Sequence, residues 1–371
     1  VSPFTFGDWL GRAASSNNAV ERTRLRQLHP SLGKILRSRC PLHLRRSVSR
    51  LPRRCAPSLP RPAIFNIMIH FCCVLAILAI EGAAVPPVGV DTTSLFWSPP
   101  TPVEGSVIEF TLAPGIDLHE YAGDLTIVGE IANESLHFEF DGSGTYKALA
   151  PIPVGSPDTL SVELRVEGAR NSESIVAKVP VARVRTGVLQ LSVDPRFISP
   201  PESELPRIRA ERDMVIAVSR RSHQTPRLWS ESFLRPRSTR ITANFGQRRE
   251  FNGELRSLHM GVDLAGAVGT PVIASNRGVV VIVHDFYYAG TAIHLDHGFG
   301  LTTAYMHLSE VAVAVGDTVA RGEVVGKVGS SGRVTGPHLH WHAKYGLLTV
   351  NPLTLLDVQQ PQTAESGGRT R

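Results

Sequence analysis

The sequence predicts an all-β protein with an N-terminal β-sandwich-like domain and a C-terminal β-rich domain, the two joined by one helix. Three observations carry this. Apolar and polar residues alternate in short runs punctuated by Gly, Pro and Asn-Glu, which is the period of half-buried strands. Only one stretch has a helical rhythm. A chain of 371 residues also exceeds what one hydrophobic core usually organises, so two folded units are expected.

Residues 1–66 form a basic leader with thirteen Lys/Arg against two acids. They account for the chain's net charge of +6 and leave the remainder net acidic, so no nucleic-acid partner is expected of the folded part. The apolar run Ile67 to Ile80 follows Arg53, Arg54 and Arg61 and precedes Gly82, Ala83 and Ala84. That is the layout of a signal peptide over 67–84, too short to span a bilayer comfortably. The expectation is therefore an exported protein of the periplasm or cell envelope, with no integral membrane segment once mature. All four cysteines, Cys40, Cys55, Cys72 and Cys73, precede the expected cleavage site. A metal in the mature protein must then be held by His and carboxylate rather than thiolate.

From 100 to 195 the alternating runs Ile108-Phe110-Leu112, Leu136-Phe138-Phe140 and Val162-Leu164-Val166 predict antiparallel strands of a small sandwich. No cluster of catalytic residue types stands out there, so it reads as an accessory domain. Over 200–220, Leu205, Ile208, Met214, Val215 and Val218 interleave with Glu and Arg behind Pro200-Pro201, which predicts an amphipathic linker helix. The second domain, 240–356, has strand runs at Pro271–Ala274, Gly278–Val283, Thr291–Leu295 and Val324–Val328. Residues 359–371 lack apolar periodicity and read as a disordered tail.

Three segments of the second domain concentrate candidate chemistry: His259-Met260-Gly261-Val262-Asp263, Tyr305-Met306-His307-Leu308 and Gly336-Pro337-His338-Leu339-His340-Trp341. In a strand, positions i and i+2 share a face, so His338 and His340 enter one cleft while Leu339 packs behind. One of them can bind metal and the other handle protons. His259 and Asp263 supply a neutral nitrogen and an anionic oxygen, and one further His completes the three-ligand set of a catalytic zinc. His307 ends an apolar stretch, where it is either a core histidine or, beside a metal, a group that stabilises an oxyanion or shuttles a proton. His284, His294 and His297 read as structural or surface histidines.

Together these motifs, with Phe245-Gly246-Gln247-Arg248, Gly269-Thr270-Pro271-Val272, Gly316-Asp317-Thr318-Val319 and Gly329-Ser330-Ser331-Gly332 between them, resemble the lysostaphin and LytM-type zinc endopeptidases from about Asn244 to Leu356. The resemblance implies one Zn2+ per chain on His259, Asp263 and His340. It implies His338 as general base, His307 as transition-state stabiliser and Tyr305 as an assistant at the oxyanion. It also implies that the C-terminal unit is barrel-like with an open groove, and that peptidoglycan peptides are its substrate. One departure is that many relatives carry a carboxylate just after the last ligand, where this chain reads Trp341-His342-Ala343.

Two other readings compete. A non-catalytic wall-binding or hydrolase-activating protein could share the fold, although such proteins usually lack some ligands. Val315 to Val328 also resembles the hairpin of biotinyl and lipoyl carriers, but Lys327 falls inside a strand pattern rather than at a turn.

Overall fold

The computed structural model describes residues 93–115, 125–168, 172–184 and 186–358. The leader, the apolar run at 67–84, the cysteines and the tail at 359–371 lie outside the described residues. Among the described residues there is one α-helix and a few 3-10 turns, and every other regular element is a strand. No described helix is long and apolar enough to cross a membrane.

The strand Thr159–Glu167 alternates exposed and buried residues without a break, with Leu160, Val162, Leu164 and Val166 facing inward. Its sheet runs Glu134–Ser135, Thr126–Ile131, Thr159–Glu167, Ser172–Pro180; a second runs Ser94–Ser98, Val107–Ala113, Tyr146–Pro151, Glu139–Phe140. Phe110, Leu112, Ala148 and Ala150 of one sheet meet Ile131, Val162, Leu164 and Val166 of the other in a single core. Full burial of a side chain such as Phe110 or Leu112 is worth about 1.5–3 kcal/mol each, which is what holds two sheets face to face.

The run through Leu136, Phe138 and Phe140 is not one strand. Glu134–Ser135 pairs in the first sheet and Glu139–Phe140 in the second, and residues 136–138 cross between them. Leu136 still faces the core, which explains the alternation, but its N–H donates to the Gly129 carbonyl outside the strand ladders. His137 leaves the sandwich altogether and stacks 5.1 Å from His223.

Helix α1, Leu205–Ser222, has Pro206 in its first turn, where the missing N–H costs nothing, and Arg220 and Arg221 in its last, where they complement the helix dipole. Ile208, Glu211, Val215, Ser219 and Ser222 form its buried stripe. Val215 packs on Ile282, Phe286, Ala292, Ala304 and Met306, so α1 is fixed against the C-terminal sheet.

That sheet has the order Ile241–Ala243, Val262–Ala265, His338–Tyr345, Leu301–Met306, Gly290–Gly298, Gly278–Phe286, Thr318–Val319, with Leu348–Val350 added beside His338–Tyr345. It does not close on itself, so the β-rich unit is an open sheet. A three-stranded sheet, Pro271–Ile273, Val324–Val328 and Leu308–Val311, joins the core around Val262, Leu264, Tyr305, Leu339 and Trp341. Lys327, in that sheet, is paired with Glu310 at 2.7 Å.

Another short sheet links the halves of the chain: Val188–Leu191 pairs in parallel with Arg248–Phe251, which pairs antiparallel with Leu255–Leu258. Further bonds join the sandwich to the C-terminal sheet. The Tyr345 hydroxyl donates to the Ser135 carbonyl at 2.8 Å, and the Leu347 N–H donates to Glu134 Oε1 at 2.8 Å.

Candidate metal centre

Strand register assembles the centre. Val262–Ala265 runs antiparallel to His338–Tyr345 with Asp263 opposite His340 and Val262 opposite Trp341. Opposed residues share a face, so Asp263 and His340 lie on one side while Val262, Leu339 and Trp341 are sealed in the core on the other. His259 enters from the segment just before Val262–Ala265. The chain between passes through Gly261, where a Cβ would stand 2.4 Å from His340 Nε2 and 2.8 Å from the Trp341 carbonyl. Only glycine lets the His259 segment close onto the His340 ring.

The three donor atoms form a tight triangle. His259 Nε2 is 3.0 Å from Asp263 Oδ1 and 3.0 Å from His340 Nδ1, and the third side, His340 Nδ1 to Asp263 Oδ1, is 2.8 Å. Among the described residues this is the one group of three such side chains whose donor atoms lie within 4.8 Å of one another.

Protonation at these residues is fixed by their surroundings. His259 Nδ1–H donates to the Asn244 carbonyl at 2.8 Å, which leaves Nε2 with its lone pair pointing into the triangle. Burial lowers the His259 pKa to about 4, against the opposing pull of Asp263, so the ring is neutral and able to ligate. Burial alone would raise the Asp263 carboxyl, but its close contacts with His259 and His340 hold it well below the usual carboxylate range. Its second oxygen, Oδ2, accepts from Arg249 Nη2 at 2.5 Å.

This donor set fits a metal ion. The lone pair of His259 Nε2 faces Asp263 Oδ1, itself an acceptor, and two acceptors at 3.0 Å call for a positive charge at the triangle. A four-coordinate zinc at about 2.0–2.1 Å from its donors separates them by about 3.3 Å, within a few tenths of the observed sides. The outer contacts, a backbone carbonyl behind one histidine and an arginine behind the carboxylate, are of the kind that orient ligands.

Two more histidines face the triangle. His338 donates Nδ1–H to the Gly336 carbonyl at 2.8 Å, and its Nε2 stands 3.6 Å from Asp263 Oδ1. His307 donates Nδ1–H to the Ser331 carbonyl at 2.8 Å, and its ring lies 5.0 Å from His338 and 5.9 Å from His340. In both, the carbonyl at Nδ1 leaves Nε2 as the nitrogen available for proton exchange. Burial, then the neighbouring His338 and His340, push the His307 pKa well below that of a free histidine.

Tyr305 is not brought to the centre, which corrects the expectation from resemblance. In Leu301–Met306 it lies opposite Trp341, and Met306 lies opposite His340, so Tyr305 points to the core side. It is fully buried there, its hydroxyl accepting from Ser275 N–H at 2.8 Å and Thr303 Oγ1 at 3.1 Å and donating to Ser275 Oγ at 3.0 Å. His307, two residues on, would share that side in a continuing strand. It escapes because its backbone is left-handed, φ 63°, which breaks the alternation.

Where the carboxylate of many relatives is missing, His342 lies buried on the face of His340, with ring centroids 6.3 Å apart. Contacts behind the ligands come instead from Asn244 and Arg249. Neither was visible beforehand: Asn244 acts through its backbone, and nothing in the sequence sets Arg249 apart from Arg248. His294 and His297 are buried, and His297 bridges the Arg277 carbonyl and Thr303 Oγ1 at 2.8 Å each; His284 stays partly exposed.

Residues 257–352 match the profile of peptidase family M23. The peptidoglycan DD-endopeptidase ShyA of Vibrio cholerae is 45% identical over 103 residues, which is 28% of this chain and 24% of that protein. The DD-carboxypeptidase/endopeptidase Mpg of Neisseria meningitidis is 43% identical over 117 residues, 32% of this chain and 27% of that protein. The chain thus spans about a quarter of the length of these curated relatives. A solved structure assigned to peptidase M23 from Pseudomonas aeruginosa superposes with a TM-score of 0.53 and 26% identity, covering 70% of this chain and 96% of that one.

Proposed function

On the premise of a peptidase family M23 domain over residues 257–352, we propose that this protein is a zinc-dependent endopeptidase that hydrolyses peptide bonds in the cross-links or stem peptides of peptidoglycan. The observation that carries the reading is the triangle of His259, Asp263 and His340 with the rings of two further histidines, His307 and His338, beside it. That the related ShyA is named as a peptidoglycan DD-endopeptidase supports the substrate class. Such a substrate places the protein in the cell envelope, in keeping with the signal-peptide layout at 67–84. In this reading 240–356 is the catalytic domain, 200–220 the linker helix and 100–195 an accessory domain.

His259, Asp263 and His340 hold the zinc, and His259 and His340 bind as neutral rings. When bound, a zinc ion in such a site acts as a Lewis acid that polarises a carbonyl and acidifies water. His338 is the general base: its Nε2 accepts the proton of the attacking water and later delivers it to the leaving amine. The Gly336 carbonyl fixes its tautomer and stabilises the imidazolium formed in between. His307 is neutral at rest and becomes a donor at Nε2 by taking up a proton from solvent water, which negative charge developing on the substrate oxygen favours, and it returns that proton to solvent when the charge collapses. The core behind Val262 and Trp341 excludes water from the far side of the sheet.

The test is metal content and product analysis of the mature protein. Zinc near one equivalent, with new free amines and shortened muropeptides seen by mass spectrometry after incubation with peptidoglycan, is the expected result. A protein that binds no zinc and releases nothing ends the proposal.

A further inference from the structure

The face of the C-terminal sheet that carries the triangle continues beneath α1, and there it holds two histidines that metal binding and proton transfer do not use. His294 lies opposite Ala304 and Ala304 opposite His342, so the three form one row across adjacent strands, two imidazoles flanking a methyl group. Val215 of α1 packs over Ala304. The space left is a cavity of about 50 Å³, room for about three waters or one planar three-atom group. His294 and His342 line it, Phe286 and Met306 add apolar surface, and His340 is part of its wall, so it adjoins the triangle.

A buried imidazole without a partner is costly. His294 is 4% exposed and His342 6%, and among the described residues neither ring makes a hydrogen bond. Both are neutral: burial, then the charge of Lys344, lowers the His294 pKa to about 3, and the same two causes hold His342 well below a free histidine. Each neutral ring offers one N–H and one lone pair, so the cavity presents donors and acceptors together. The charged groups in its wall are answered elsewhere. Lys344 donates to the carbonyl of Leu347 at 2.7 Å, and the N–H of Leu347 donates to Glu134; Glu211 accepts from Arg207 Nε at 2.8 Å and Tyr287 N–H at 3.0 Å. A carboxylate entering here would find lone pairs it cannot satisfy, an ammonium would be repelled by Lys344, and a methyl group would leave both rings unpaired. A primary carboxamide carries an acceptor oxygen and a donor nitrogen in one plane and satisfies both rings at once.

We propose that this cavity is a substrate subsite in which His294 and His342 hold a neutral primary carboxamide, an amidated carboxyl group one or two residues from the scissile bond. The ring centroids of His340 and His342 are 6.3 Å apart, roughly two residues of extended peptide, which sets that distance. This rests on the endopeptidase reading.

The experiment compares two synthetic cross-linked stem peptides that differ only in having that carboxyl amidated or free. For the zinc-loaded wild type, kcat/KM is expected to favour the amide by about tenfold, chiefly through KM, the worth of one or two buried hydrogen bonds. In His294→Leu the ratio should fall to near one, and His294→Gln, which restores a donor and an acceptor, should recover part of it. Equal zinc content in all three proteins shows that the fold has survived. A readout independent of cleavage uses propionamide as the probe of metal-free protein: the ring nitrogen resonances of His294 and His342 should shift with propionamide and stay in place with propionate or propylammonium. Equal handling of the two peptides by the wild type, or a ratio that survives in His294→Leu, overturns the proposal. So do rings that propionamide leaves unmoved, the result if water alone fills the cavity. If neither peptide is cut yet propionamide still moves both rings, the endopeptidase reading fails while the carboxamide site stands.

Discussion

His307 donates Nδ1–H to the Ser331 carbonyl at 2.8 Å from a left-handed backbone, φ 63°, and this turns its ring toward His338 and His340 instead of into the core. The residue touches the triangle's neighbours without belonging to the triangle. We expect His307→Ala and His338→Ala each to retain zinc while losing roughly 10²–10⁴-fold in turnover. Asp263→Ala and His340→Ala should lose both metal and activity. Metal analysis beside rate measurement separates the two groups, and zinc loss in His338→Ala would mean that His338 is a ligand.

Gly261→Ala is a sharper probe of the centre than many polar changes. Its methyl group would stand 2.4 Å from His340 Nε2 and 2.8 Å from a backbone oxygen, so the imidazole has to move. We expect metal affinity to fall by about 10- to 100-fold, the range seen when ligand orientation is disturbed. Competition with a chromophoric chelator measures it; unchanged affinity would show that the His259 segment is looser than drawn.

Tyr305→Phe distinguishes a core tyrosine from a catalytic one. Removing the hydroxyl strands the Ser275 N–H and disturbs Thr303, which should destabilise the fold by about 1–3 kcal/mol. Turnover of the folded variant should stay within twofold of wild type. Urea unfolding together with kcat reads both quantities, and a hundredfold loss of kcat at unchanged stability would return Tyr305 to the reacting groups.

His297 should make the protein acid-sensitive. Burial lowers its folded pKa to about 4, below the 6.5 of an unfolded histidine. Between those values the unfolded chain binds a proton that the native ring refuses. The contribution is therefore intact above about pH 6.5 and is lost progressively toward pH 4, on the order of 3 kcal/mol in all. His297→Gln should be less stable than wild type at pH 7.5 but lose less between pH 6.5 and 4. Parallel stability curves for the two proteins would refute this.

Much of the architecture was legible because burial on one face writes itself into a strand as period two. Val162, Leu164 and Val166 show it plainly, as do His338 and His340 with Leu339 between them. The pattern misleads where burial and pairing part company: Leu136 alternates correctly but crosses between sheets, because a core-facing side chain does not require a strand partner. Tyr305 and His307 demanded information that spacing lacks. The side of Tyr305 depends on register with Trp341, and the side of His307 on a single backbone angle. The carbonyls of Asn244, Ser331 and Gly336 orient three histidines and have no side-chain signature at all.

The strand His338–Tyr345 has a working end and an anchored end. His340 belongs to the donor triangle, and seven positions after His338 the Tyr345 hydroxyl is bonded to the Ser135 carbonyl of the sandwich. A fragment trimmed to residues 240–358 would therefore keep all five histidine and aspartate groups yet expose the Tyr345 hydroxyl, the Leu347 N–H and the unpaired flank of Arg248–Phe251 to solvent. Dissection of this protein into a minimal enzyme thus meets its cost at the seam between the sheets, as raised aggregation and a lowered melting temperature, before any ligand is touched.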